Sequence, residues 1–336
     1  MPLGRSTSTR ALGLLVALAA LAFILLLSIS VGAKPIPLHR VWELLLHNDH
    51  SEDAVVVHDL RIPRTMLGIL VGAALGVAGA LMQALTRNPL ADPGLLGINA
   101  GAATAIVLGV ALLGITSATQ YVWFGFVGAA LAAILVYGIG AQGRSGATPV
   151  RLALAGTAVT FALNAVINGI TIVDTRVLER YRFWLVGALG GHDTDVVWQI
   201  APFLVVGLVL ALAMARPLNA LALGEDAGRA LGAHVGRTRV AGAVAVTLLC
   251  GAATAAAGPI VFIGLTVPHV ARALCGPDQR WVIPYSAVLA PALLLTADVI
   301  GRVIDRPGEI EVGVVTAILG GPIFVALIRR SRIAQL

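Results

Sequence analysis

Residues Thr65–Thr86 read TMLGILVGAALGVAGALMQALT, 22 consecutive positions without an Asp, Glu, Lys or Arg. The hydrocarbon core of a bilayer takes about 20 apolar residues of helix, so this stretch alone is long enough to cross. Ala11–Ala33, Leu152–Val173 and Val196–Ala215 are uncharged over similar lengths. Pro93–Gly143 is uncharged over 51 positions, enough for two crossings, and Val240–Ala271 holds one and a partial second. Trp281–Ala297 and Val312–Ile328 are shorter and complete the series. The pattern predicts an all-α polytopic membrane protein of about ten helices, forming a single transmembrane domain over residues 1–336. Composition agrees: the 336 residues are 58% hydrophobic and 12% charged, half the roughly 25% charged of soluble domains, and the mean hydropathy is +0.92. Soluble enzymes, transcription factors and secreted disulfide scaffolds are excluded.

The charges outside these tracts set the orientation. With ten spans and both termini cytoplasmic, the inner segments hold 14 basic residues against Asp92, Glu225, Asp226 and Asp278. The outer segments hold 9 basic residues against 13 acidic ones. Inside is then net +10 and outside net −4, as the positive-inside rule prefers. The pI of about 10.1 has its source in this bias rather than in a nucleic-acid partner. The first tract, at 23 residues, exceeds the 7–15 residue core of a signal peptide and reads as a span. Cys250 lies inside a tract and Cys275 near a basic loop, so they make no disulfide framework.

Within the spans, small residues dominate. Gly68, Gly72 and Gly76 lie four apart on one helical face, the spacing that lets helix backbones approach closely. Gly72-Ala73-Ala74 and Ala78-Gly79 recur as Gly251-Ala252-Ala253 and Ala257-Gly258, an offset of 179. Such an echo accords with the inverted repeats of many transporters.

Other motifs fail on context. Gly138–Gly143 matches G-x-G-x-x-G but ends a span with no strand before it, so dinucleotide binding is set aside. Lys34 is the only lysine and is followed by Pro35, so no Walker A sequence exists and ATP, if used, is hydrolysed by another chain. H-E-x-x-H is absent. His47, Asp49, His50, Glu52 and Asp53 crowd the outer segment between the first two spans, where a solvated face is the simpler reading than a metal site. His269, beside Pro268, reads as a helix-end or packing residue. No metal and no cofactor is expected.

Four segments together resemble the FecCD-type permeases of type II ATP-binding-cassette (ABC) importers, which carry ferric siderophores, haem and cobalamin. They are Arg61–Arg64; Gly79–Gly97, reading GALMQALTRNPLADPGLLG; Gly224–Gly232, reading GEDAGRALG; and Gly258–His269 together with Gly313–Pro322. They stand in family order and cover all but the first ~60 residues, far more specific than any lone motif. The resemblance implies the type II importer permease fold with its inverted repeat. It further implies a membrane-spanning permease subunit in the cytoplasmic (inner) membrane, with no ATPase activity of its own. Its implied partners are two ATPase subunits, a periplasmic or lipoprotein substrate-binding protein, a second permease subunit, the same or a paralogue, and membrane lipid.

The same resemblance implies roles for residues. Residues 224–236 match the coupling helix that docks on the ATPase, with Glu225, Asp226, Ala227, Leu231 and Gly232 in that role; the acids open a short helix and Arg229 is i+4 from Glu225. Arg61, Arg64 and Arg302 match outer arginines that pair with acids of the binding protein, the planar guanidinium being suited to carboxylates. A local alternative stands beside this, in which Asp59 and Asp298 neutralise them. Asn88, Pro89 and Gly97, with Gly258 and Pro259, mark interrupted helices around the translocation path and its gates, since irregular backbone at membrane depth must be enclosed by protein or water. Gln83, Asn99, Thr104, Asn164, Asn168 and Thr171 are the polar candidates for the path, each of which also suits a helix–helix hydrogen bond. Charge-free spans fit passage of a bulky chelate and disfavour an ion-coupled carrier, which needs intramembrane carboxylates. A ferric siderophore is the expected cargo, with cobalamin or haem as the alternative. Residues 33–60 match no motif.

Overall fold

The computed structural model describes residues 6–47, 49–142, 148–230, 232 and 234–330, and among them there is helix and no strand. The chain opens with α1 (Thr7–Ser30), capped by the Ser6 hydroxyl on the Thr9 amide, then α2 (Leu38–Leu46) and α3 (Glu52–Val55). A widened turn, Val56–Arg61, runs α3 into α4 (Ile62–Thr86), giving one continuous 35-residue helix from Glu52 to Thr86. At 1.5 Å per residue that is about 52 Å, well beyond the ~30 Å hydrocarbon core. Its first turns therefore stand clear of the membrane. Glu52 and Asp53, read from sequence as loop residues, occupy the first helical turn, where acids favour the helix dipole. Hydropathy alone ends the span at Thr65 because it registers charge and not backbone continuity.

After α4 come α5 (Ile98–Leu108), α6 (Ala118–Gly140), α7 (Pro149–Val173), α8 (Thr175–Val186), α9 (Thr194–Ala213) and the short α10 (Ala215–Ala222) and α11 (Glu225–Ala230). The chain continues through α12 (Val235–Ala257), α13 (Ile263–Cys275), α14 (Gln279–Ile304) and α15 (Val312–Arg330). Seven helices among the described residues are long and apolar enough to span: α1, Glu52–Thr86, most of α7, and α6, α9, α12 and α14. Three shorter apolar helices, Ile98–Leu113, Ile263–Cys275 and Val312–Ala326, bring the number among the described residues to the expected ten or so. The 51-residue uncharged tract resolves into α5 and α6, and the partial second crossing after α12 is α13.

The expected glycine stripe is a packing surface. A Cβ on Gly72 would lie 2.6 Å from the Pro291 backbone and one on Gly76 would meet Ala290 and Ser286, so α4 and α14 touch main chain to main chain. α4 forms the centre, enclosed by α14, α12, α13 and α9. One apolar core cluster runs from Leu67 to Val315 and draws on both halves of the chain. The repeat is visible in the backbone. α4 ends at Arg87 in a left-handed conformation and is followed by a break and the 11-residue α5. α12 ends at Gly258 (φ 73°, ψ −179°) and is followed by a break and the 13-residue α13. In a ten-span chain these are the second and seventh spans, which run in opposite directions.

Arginine cluster, helix breaks and the short helix after α10

The three arginines expected on the outer side converge. Arg61, Arg64 and Arg302 are 4%, 9% and 2% exposed, and Arg64 and Arg302 enclose Asp298 at 0%. Arg64 donates from Nε and Nη2 to Asp298 Oδ1 at 3.0 and 2.8 Å and from Nη1 to Glu309 Oε2 at 2.5 Å. Arg302, one turn beyond Asp298 on α14, places Nη2 2.9 Å from Asp298 Oδ2, an ion pair without hydrogen-bond geometry. It also caps the C-terminal end of α1, donating to Ser28 O and Val31 O at 2.9 Å each and to Ser28 Oγ at 3.0 Å. Arg61 closes the same end through Ile29 O (2.9 Å), Ser30 O (2.8 Å) and Lys34 O (2.5 Å). The orphan carbonyls of a helix C-terminus are thus satisfied by cations, which also suit its dipole.

The local alternative therefore holds for Arg64 and Arg302, whose partner is Asp298. For Arg61 it does not: among the described residues Asp59 makes no ion pair with it, and the partners are carbonyls. Each of the three guanidiniums is bonded within the chain. All three line an open depression of about 580 Å³, together with Lys34, His192, Glu309 and Glu311. Burial raises the Glu311 carboxyl above its ordinary value and lowers the His192 imidazole. Sequence reasoning missed Glu309 and Glu311 because nothing in the spacing ties the loop before α15 to α4.

On the opposite side, α11 is the short helix expected. Gly224 (φ 107°) and Gly232 (φ 83°) bracket it in conformations that side chains resist. Arg229 bridges Glu225 at 3.4 Å and Asp226 at 3.3 Å, as the i+4 spacing implied. Glu225 makes its closer contact elsewhere, with Arg239 at the start of α12 (2.5 Å), which ties α11 to a spanning helix. Asp226 and Ala227 are exposed; Leu231 lies outside the described residues. Nearby, Asn219 on α10 donates to Asp278 at 2.6 Å and accepts from the Gln279 amide at 2.8 Å, bracing α10 against α14. Arg280, bonded through both Nε and Nη2, and the Asn219 amide hold the Asp278 carboxyl down at about 2.

Each break is tied into the bundle. The Asn88 side chain accepts from the Leu90 amide, and Pro89 O accepts from His269 Nε2 at 2.8 Å, so His269 ties α13 to the first break. Gly97 (φ 70°) turns the chain into α5, and Asn99 Oδ1 accepts from Thr254 Oγ1 on α12 at 3.0 Å. In the second break a Cβ on Gly258 would sit 2.3 Å from Trp184 O, and Ala257 O accepts from the Ala188 amide at 2.9 Å. Pro259 lies against Gly187. This break is therefore wedged against the turn after α8, and α15 joins it where the Gly313 amide donates to Gly187 O at 3.0 Å.

The polar path candidates divide. Gln83 is fully buried, donates to Leu265 O at 3.1 Å and accepts from Arg272, so it ties α4 to α13 and faces no open path. Thr104 and Thr171 are buried and bond to carbonyls of their own helices. Asn99 is half-buried and occupied by Thr254. Asn164 and Asn168 are exposed, one turn apart on α7, with Thr157 on the same side. They alone of the six present free amides on a spanning helix.

Comparison with known proteins agrees with this arrangement. The FecCD transport family model matches residues 20–330. The ferric enterobactin transport system permease protein FepD of Escherichia coli K12 is 48% identical over 331 residues, 98% of each chain. The iron(3+)-hydroxamate import system permease FhuB of Bacillus subtilis is 43% identical, covering 91% of this chain and 80% of its own. The hemin transport system permease HmuU of Yersinia pestis is 35% identical over 98% of each. A solved inward-facing structure of a metal-chelate type ABC transporter superposes with a TM-score of 0.84 over 95% of this chain and 99% of its own; at 23% identity it speaks for the fold. With near end-to-end matches on both sides, this chain belongs to the FecCD transport family.

Proposed function

We propose that the chain is the membrane-spanning permease subunit of an ABC importer and that its cargo is a ferric siderophore. The observation that carries the reading is the face of α7. Only 22% of its span is buried, against 83% for Glu52–Thr86, and the exposed side carries Asn164 and Asn168. Free amides on lipid are costly, so this face belongs against water and a second permease subunit. A path lined by amides without carboxylates suits a bulky chelate that passes without tight binding. Siderophore permeases among the relatives support the cargo, and the hemin permease supports haem as the second reading.

The mechanism is alternating access. Two ATPase subunits dock on α11 of each permease, with Glu225, Asp226, Ala227, Leu231 and Gly232 as the contact. Their movement reaches the spans through the Glu225–Arg239 pair and the α10–α14 brace. The breaks at Asn88–Gly97 and Gly258–Phe262, which touch each other's half, open and close the path. A loaded substrate-binding protein presents carboxylates to the arginine-lined outer depression, where rim charges set docking rate and orientation. The chain lies in the cytoplasmic membrane with both termini inside, and the core shared by both halves supports reading residues 1–336 as one domain.

Uptake by a deletion strain, complemented with wild type or with Glu225→Ala/Asp226→Ala, tests this. The panel is radioiron-loaded siderophores of several chemistries, labelled haem and labelled cobalamin. The expected result is loss of one ferric siderophore, full restoration by wild type, and uptake at background with the double variant. Restoration of haem or cobalamin alone overturns the cargo. Uptake that survives ATP depletion and stops when the ion gradient collapses overturns the importer. For docking, Arg61→Gln is the cleaner variant because its partners are carbonyls; unchanged binding-protein affinity would remove Arg61 from that role.

A further inference from the structure

An apolar groove of about 530 Å³ runs between α6 and α12, walled by Phe126, Ala130, Ile134, Tyr137, Val240 and Val244 among others. Val127, Leu131 and Val240 are exposed beside it, so the groove opens on an apolar surface of the bundle. At its α11 end the character changes within one turn. Arg237 is exposed and lies three residues before Val240, on the groove face of α12. No acidic partner contacts it among the described residues. Arg239 lines the adjoining hollow beside Tyr137 and Leu152. Arg151 reaches the same end, donating to Gln142 O at the close of α6 at 2.8 Å.

We infer that this groove seats one anionic phospholipid of the inner leaflet, an acyl chain along α6 and α12 and the phosphate at Arg237 and its neighbours. The apolar walls fit a chain, and the groove volume is that of sites holding ligands of this bulk. The headgroup preference comes from the cations: each arginine near the surface favours an anionic lipid about fivefold. The phosphate then sits two residues along α12 from Arg239, the residue that holds α11 through Glu225. The assignment of this end to the inner leaflet rests on the orientation proposed above.

Native mass spectrometry of the purified full chain, with phosphatidylglycerol or phosphatidylcholine added to the micelle, reads the site. One phosphatidylglycerol per chain is expected to be retained, at least about fivefold over phosphatidylcholine. Arg237→Ala is expected to lower phosphatidylglycerol retention about fivefold and leave phosphatidylcholine unchanged. Gly138→Leu is expected to lower retention of both, since a side chain there enters the groove and meets nothing within 4 Å. Equal retention of the two lipids by the wild type, or an unchanged preference in Arg237→Ala, overturns the proposal. So does a chain-to-chain disulfide formed by Val244→Cys, which would make the groove an interface between copies. Neither cargo nor ATPase is present in the measurement, so its failure leaves the importer reading standing, and a failed uptake experiment leaves the lipid site standing.

Discussion

Asp298→Ala is expected to lower stability by about 3–5 kcal/mol, and the thermal midpoint of the purified chain by on the order of 10 °C. The carboxylate is fully buried and is the one group shared by two buried guanidiniums, Arg64 and Arg302. Removing it does not release them to water. Arg302 stays 2% exposed with only the carbonyls at the end of α1 and the Ser28 hydroxyl for partners. Arg64 keeps Glu309 alone. Breaking a buried pair from one side leaves uncompensated charge, which is why the penalty exceeds the net worth of the pair. The expected ordering follows. Asp298→Asn keeps the shape and an acceptor oxygen and falls between wild type and alanine. Adding Arg64→Met to Asp298→Leu recovers part of the loss, because an apolar replacement of a whole pair is often neutral. Recovery stays incomplete, since Arg302 is also the cap of α1. Thermal unfolding followed by monodispersity in detergent checks the series; an alanine variant that melts with wild type would mean that the cluster is not what joins α1, α4 and α14.

This cluster also marks where the sequence stops being readable. Asp298 and Arg302 were visible as an i, i+4 pair, and that contact is present. Arg64 reaches the same carboxylate across 234 positions, and Arg61 binds carbonyls of residues 29, 30 and 34. A carbonyl is carried by every residue, so no composition or spacing announces it as a partner. The spans were legible because a bilayer imposes length and charge at once, and the breaks because glycine and proline interrupt that pattern. Gln83 was left between two readings for a related reason. A polar residue inside a span signals a hydrogen bond but not whether its partner is a cargo or a neighbouring helix, and here Leu265 O and Arg272 on α13 take it up. The tie between Glu225 and Arg239 spans 14 residues and two helices, so periodicity within one helix finds only its weaker contact with Arg229.

Gly79→Ala is the second large effect, expected at about 3 kcal/mol of destabilisation, the upper end for overpacking a core. The added Cβ would lie 1.9 Å from Gly264 O, 2.5 Å from its carbonyl carbon and 2.6 Å from its Cα. All three are backbone atoms of α13, so no side chain can rotate away and the two helices must part. Parting them stretches the hydrogen bond from Gln83 to Leu265 O, one turn further along α4, and pulls on Arg272, bonded to the same amide. α13 also begins directly after the Gly258–Phe262 break, so the displacement reaches the proposed gate as well as the core. A contrast within the same chain separates this from a general intolerance of alanine. Gly138→Ala places its methyl where nothing lies within 4 Å, and alanine in a helix interior is worth roughly 1 kcal/mol over glycine, so that variant is expected to melt at or slightly above wild type. Parallel melting curves decide the matter: Gly79→Ala melting with Gly138→Ala would show that the α4–α13 contact can open without cost, and this backbone-to-backbone approach would lose its claim to set the packing of the second half against the first.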